Sequence, residues 1–215
     1  MIVLTSICGG KDNLIHEQVK GDAKFVAFTD FDFKSDVWER QPAYDKFLSP
    51  RRNSRIHKIL PHQFVEDRYS LWIDGNLSLI VPPEEFLKYL DGYDIALFKH
   101  PSRDCLYDEG KVCADQKLDD PETILNQLKQ YEKTGFGRNR GLCECGVIVR
   151  RHTPQVEVFN NYWWSEHCRH SVRDQVSMMY AMDKAGLRVN MIDEQYEVVG
   201  NRVIRGGKVE YINHL

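Results

Sequence analysis

Short apolar runs alternate with amphipathic stretches along the whole chain. Ile2–Ile7 is close to continuously apolar, stops at Gly9-Gly10 and predicts a buried strand. Lys24–Thr29 predicts a second strand, ending at Asp30. Tyr69–Asp74 predicts a third, since Leu71, Trp72 and Ile73 are consecutive apolar residues, and a second apolar run, Leu77–Ile80, follows it. Asp94–Phe98, Glu144–Arg150 and Leu187–Ile192 are further strand patterns, the last read as a core strand. The stretches between them carry helix punctuation. Ser49 is a good N-cap, and Pro50 fits the first helical position. Pro82–Leu90 reads as a short helix begun by proline. Asp120 caps a helix that Pro121 begins, and Gly135 lies just past its end at Lys133. Thr153–His167 is helical, with Phe159, Tyr162 and Trp163 near its buried face. Ser171-Val-Arg-Asp174 is a capping box that opens a helix ending at Gly186. From Val198 to Tyr211 the pattern alternates weakly around Gly206-Gly207, as in a hairpin. Strands separated by helices predict an α/β fold, with a mostly parallel central sheet flanked by helices. No internal repeat or linker divides the pattern, so 1–215 reads as a single domain.

At 215 residues the chain buries a full core without disulfides or metal staples. A net charge of −3 gives no basic character that would indicate nucleic acid. With 42% hydrophobic and 28% charged residues it sits among ordinary soluble globular proteins. No apolar run reaches bilayer-spanning length, and Met1–Cys8 lacks the basic start of a signal peptide, so a cytoplasmic protein is expected. The six cysteines are then expected as free thiols. Cys143-Glu-Cys145 is too closely spaced for a tetrahedral zinc site, and strand alternation puts both thiols on one face.

Candidate chemistry concentrates at strand ends, where α/β proteins bind ligands. Asp74 leaves the third strand, Gly75 permits a tight turn and close ligand approach, and Asn76 adds a second oxygen. Two such oxygens can reach one hard divalent cation, whose other ligands are waters and substrate phosphates. Asp-Gly-Asn is equally the ordinary composition of a turn. Arg51, Arg55 and Lys58 recur at helical spacing with no acid among them, either to meet a diphosphate or as a solvated cationic face. His100, Arg103 and Asp104 follow the Asp94–Phe98 strand and suit sugar-hydroxyl recognition. No dinucleotide or P-loop fingerprint is present, because Gly9-Gly10 is followed by Lys11-Asp12.

Several segments together carry a resemblance: Gly9-Gly-Lys-Asp-Asn13, Phe28-Thr-Asp30, Arg55-Ile-His-Lys-Ile-Leu-Pro-His62, Trp72-Ile-Asp-Gly-Asn76, His100–Glu109, Gly141–His152, Trp163-Trp164 and Arg173-Asp-Gln175. Over most of its length the chain resembles the glycosyltransferase-like "domain of unknown function 616" family. More distantly it is similar to retaining sugar-nucleotide transferases of the glycogenin kind, which have the GT-A fold. That resemblance implies a single GT-A-like α/β domain. It also implies hexosyl or pentosyl transfer from a nucleotide-sugar donor, with uridine as the expected base, to a glycan or other hydroxyl acceptor. Leu60-Pro61 and Asp74-Gly75-Asn76 stand where the family has Leu-Pro and an Asp-x-Asp metal motif; the last aspartate is here Asn76. The resemblance places the nucleotide at Thr5 and Asp30, and Mn²⁺ or Mg²⁺ at Asp74 and Asn76 with the late His214. Glu144, Asp174 and Gln175 become the candidate catalytic residues, and Trp164 joins the sugar or acceptor side. Asp174 has a competing role as the acid of the capping box. A non-catalytic binding module, which the change to Asn76 favours, and a hydrolase using the same crevice are the alternative functions.

Overall fold

Apolar runs with two buried faces need cover on both sides, and the fold supplies it. In the computed structural model, which describes residues 1–212, the chain begins with strands β1 (Ile2–Ile7), β2 (Lys24–Thr29) and β3 (Glu39–Pro42). Helix α1 (Pro50–Ile59) and a 3₁₀ turn lead to β4 (Tyr69–Ile73) and β5 (Leu77–Leu79). A 3₁₀ helix over Pro83–Leu90 precedes β6 (Ile95–Lys99), α2 (Leu106–Asp115) and α3 (Pro121–Lys133). Then follow β7 (Cys143–Arg151), α4 (Pro154–Arg169), α5 (Asp174–Ala185), β8 (Asn190–Ile192) and the short strands β9 (Tyr196–Val199), β10 (Arg202–Arg205) and β11 (Val209–Tyr211).

The central sheet has seven strands in the order β3-β2-β1-β4-β7-β6-β8. Within it β7 runs antiparallel to both neighbours, β4 and β6, while the other pairings are parallel. The expected mostly parallel α/β sheet is therefore what forms. One apolar layer joins the sheet to α1–α5 through Trp72, Ile148, Phe159 and Trp163. The other covers the opposite face through Val3, Phe25, Leu71, Phe86 and Val149. After β1 the chain moves outward to β2 and β3, then returns across β1 to form β4 on its other side. This reversal opens a crevice beyond the carboxyl ends of β1 and β4. A second, antiparallel sheet, β5-β11-β10-β9, stands beside that crevice.

Most element boundaries follow the punctuation. Ser49 caps α1 through the Arg52 amide, Asp120 caps α3 through Thr123, and Thr153 caps α4 through Val156. The capping box at Ser171 does not form. The Ser171 hydroxyl donates to Asp119 instead (2.7 Å), the helix begins at Asp174, and the N-cap residue Arg173 offers no side-chain bond. Asp174 accepts the Gln175 amide through Oδ1 (3.0 Å) and turns Oδ2 to two cations, as described below. The last predicted strand shortens to Asn190–Ile192 at the edge of the sheet, paired only with β6.

Candidate functional site

A pocket of about 460 Å³ occupies the crevice. Its floor is the end of β1 (Ser6, Ile7, Cys8) and the β4–β5 turn (Asp74, Gly75, Asn76). One wall is the face of α1 that carries Arg51, Ser54, Arg55 and Lys58; another is the start of α5, Arg173–Gln175. Glu144 and Cys145 of β7, His100 beyond β6 and Tyr211 of β11 close the far side. Gly75 keeps the turn close to β1: a Cβ on it would lie 2.9 Å from the Ile7 side chain, which would have to move aside.

The cationic face of α1 is turned inward, not solvated. Lys58 is buried, with its Nζ 3.1 Å from Asp74 Oδ1 and 2.7 Å from Asp174 Oδ2. Arg55 Nε lies 3.1 Å from Asp174 Oδ2. A single chain of charges, Asp74–Lys58–Asp174–Arg55, thus links the strand-end turn to the start of α5. Burial alone would push the Asp174 carboxyl up. The Lys58 and Arg55 cations outweigh it and hold the group far below the usual carboxylate range, so it is ionised at any working pH. The Trp72 indole donates to Asp74 Oδ1 at 2.8 Å. Lys58 and Trp72 therefore both hold Asp74 through Oδ1, and neither engages Oδ2. Asp74 and Asn76 offer side-chain oxygens to a metal here, while among the described residues no group of three His, Cys, Asp or Glu side chains is placed to hold one. Such a pair fits a hard cation whose shell is completed by water and substrate phosphates.

Across the pocket, Glu144 accepts from the Tyr196 hydroxyl at 2.8 and 3.0 Å, and Arg205 stands 3.8 Å away. Burial raises the Glu144 carboxyl, and the tyrosine and arginine partly oppose that rise. Arg205 is itself buried, donates to the Lys99 carbonyl and lies over the Tyr196 ring at 4.3 Å. The second sheet thus sets the position of this carboxylate. His100 accepts from the Ser102 and Arg103 amides through Nδ1, and burial lowers its pKa.

The pocket gathers Arg51, Arg55, Lys58, Asp74, Gly75, Asn76, His100, Glu144, Asp174 and Gln175 from the expected set. Others lie elsewhere. Thr5 is buried inside β1, whose last two residues, Ser6 and Ile7, reach the pocket instead. Asp30 is exposed and accepts the Gly9 amide at 2.7 Å, so it shapes the loop after β1 rather than lining the pocket. Arg103 is turned to Glu109 at 2.7 Å, and Asp104 is exposed outside the pocket lining. Trp164 stacks on His167 and meets Phe47 at a tilt of 60°, outside the pocket lining. His214 lies outside the described residues. Lys11, Asp12, Arg173 and Tyr211 line the pocket without having been singled out. A lysine and an aspartate after Gly9-Gly10 were a usable signal, whereas Tyr211 arrives only through the pairing of β11 with β5.

Comparison with known proteins bears on this arrangement. The sequence pattern of the family described as "TOD1/MUCI70, glycosyltransferase-like domain" matches residues 39–203. The chain is 32% identical over 190 residues to the "Probable hexosyltransferase MUCI70" of Arabidopsis thaliana, covering 82% of this chain and 32% of that protein. It is 23% identical over 171 residues to the "Alkaline ceramidase TOD1" of the same plant, covering 74% of this chain and 37% of that protein. The chain therefore spans about a third of the length of these two relatives. Among solved structures, the apo form of the bifunctional glycosyltransferase WbbM superposes with a TM-score of 0.53 at 14% identity, over 89% of this chain and 38% of that one.

Proposed function

This chain belongs to the TOD1/MUCI70 glycosyltransferase-like domain family, and from that premise we propose that it transfers a hexose from a uridine diphosphate sugar to an acceptor hydroxyl. The observation that carries the proposal is the ion chain Asp74–Lys58–Asp174–Arg55 lining the crevice between β1 and β4. The reaction breaks the bond between the sugar and the diphosphate, so charge grows on the leaving phosphate and on the sugar ring together. Lys58 and Arg55 face the leaving group, and the ionised Asp174 beside them faces the positive ring. Asp74 and Asn76 would hold Mn²⁺ or Mg²⁺. A bound cation supplies Lewis-acid stabilisation of the departing diphosphate. Glu144, raised by burial and positioned by Tyr196, takes the proton of the acceptor hydroxyl from the opposite wall.

The relative named as a ceramidase favours a second reading, in which water attacks in place of a sugar hydroxyl. Release of nucleoside diphosphate from a panel of nucleotide hexoses, with and without oligosaccharide acceptors, separates the two. Release that rises with acceptor, together with a glycosylated product, supports transfer. Release that ignores every acceptor supports hydrolysis, and no release from any donor removes the proposal.

A further inference from the structure

The cations of the pocket are not all matched. Lys58 and Arg55 meet Asp74 and Asp174. Arg51, one turn nearer the start of α1, lines the same wall and makes no ion pair with a carboxylate among the described residues. Arg173, immediately before α5, also lines the pocket; its side chain hydrogen-bonds the Cys113 thiol but makes no ion pair with a carboxylate among the described residues. The nearest acids are occupied. Asp119 accepts the Ser171 hydroxyl at 2.7 Å and the Val172 amide at 2.8 Å, and Asp174 is held by Lys58 and Arg55. Burial lowers the pKa of Arg51, and the Arg173 and Arg55 guanidiniums add to that against the opposing pull of Asp174 and Asp119. Gln175 also lines the pocket, and its amide nitrogen, like Arg173 Nε, is buried without a hydrogen-bond acceptor. Half-buried like charges beside unfilled donors are unfavourable unless an anion completes them.

We propose that Arg51, Arg173 and Gln175 form an oxyanion subsite, separate from the Asp74 end of the pocket, that takes a phosphate or carboxylate group of the substrate. It rests on the reading of this crevice as a substrate pocket. Arg51 precedes Lys58 by seven residues, a rise of about 10 Å along α1, so the subsite reaches a group beyond the one Asp74 faces. Arginine suits it because the planar fork engages two oxygens of one group, and two forks with an amide enclose a trigonal or tetrahedral anion. The shared chemistry has two sources: the phosphates of the donor, or the carboxylate of an acidic sugar.

Calorimetric titration with inorganic phosphate, D-glucuronate, D-glucose and UDP tests it on the wild type and on Arg51→Gln and Arg173→Gln, with melting temperature as the check on folding. Phosphate or glucuronate should bind the wild type and bind each variant about tenfold more weakly, while glucose ignores both changes. If UDP weakens in parallel with phosphate, the subsite seats the donor. If glucuronate weakens and UDP does not, the subsite selects an acidic sugar. Oxyanion affinity that is absent, or unchanged in both folded variants, overturns the proposal. Binding through these arginines in a protein that consumes no nucleotide sugar would refute the transferase reading and leave the subsite standing.

Discussion

Asp174 shows why a side chain's role follows from what surrounds it rather than from its place in a motif. The Ser-x-x-Asp spacing fits a capping box, yet Ser171 bonds Asp119, and the Asp174 carboxylate gives one oxygen to the Gln175 amide and the other to Lys58 and Arg55. The predicted effect of Asp174→Asn changes with that finding. A cap would cost about 1 kcal/mol or less, whereas neutralising the centre of a buried charge chain should cost about 3 kcal/mol. Turnover should fall by about 10² or more. Urea unfolding and donor consumption on one purified variant check both values. Glu144 makes a prediction about pH. It must be ionised to accept a proton, and burial raises its pKa, so activity should fall on the acid side at a higher pH than for an ordinary carboxylate. The Tyr196 hydroxyl stabilises the ionised form, so Tyr196→Phe should move that acid limb further upward, and Glu144→Gln should abolish it. A pH–rate profile whose acid limb is the same in all three proteins would remove Glu144 from the mechanism.

The helices that the sequence displays most plainly are those with strong ends. α1 and α3 carry a side-chain cap followed by proline, and both begin at the expected residue. α2 was not legible because Cys105 offers no cap bond and Gly110 interrupts the pattern. That glycine is there for packing, since a Cβ on it would come within 2.8 Å of Leu128 on α3. β3 was hidden for a different reason: Glu39-Arg-Gln-Pro is an edge strand with no apolar alternation, specified by its pairing with β2. Among the site elements, the strand ends and the α1 face were readable, because spacing alone puts Arg51, Arg55 and Lys58 together. What they face was not, since it depends on α5 and β7 arriving from over eighty residues away. α1 is tied to the loop after β1 at Gly9, where φ is +72° and a Cβ would meet the Pro50 ring at 2.7 Å. Gly9→Ala should therefore cost about 1–2 kcal/mol and displace the first turn of α1. Donor affinity should fall with stability; a variant as stable as the wild type would show that this contact does not hold the helix.

For the whole molecule, three neutral histidines set the acid side of stability. His57 stacks flat on Phe28 and accepts the Tyr44 amide through Nε2; burial lowers its pKa to about 3. Burial likewise lowers His152 and His167 to about 4. The unfolded chain, with ordinary histidines near 6.5, binds these protons first. Stability is thus fully present above that pH and is lost as pH falls towards 4, at about 1 kcal/mol per pH unit for each histidine. Below that, protonation of Asp174 removes more. Melting temperatures that stay flat between pH 6.5 and 4.5 would contradict the neutral buried state. No helix among the described residues is long and apolar enough to cross a membrane. The mostly parallel sheet, its reversal between β1 and β4 and the second sheet beside it converge on one crevice.

That convergence is tested most directly by titrating UDP, with Mn²⁺ present, into the wild type and Asp74→Ala in a calorimeter. The wild type should bind, the variant should bind at least tenfold more weakly, and the variant should still unfold cooperatively. Equal affinity in the two proteins, or no binding of the nucleotide by the wild type, would contradict the assignment of this crevice as the donor site.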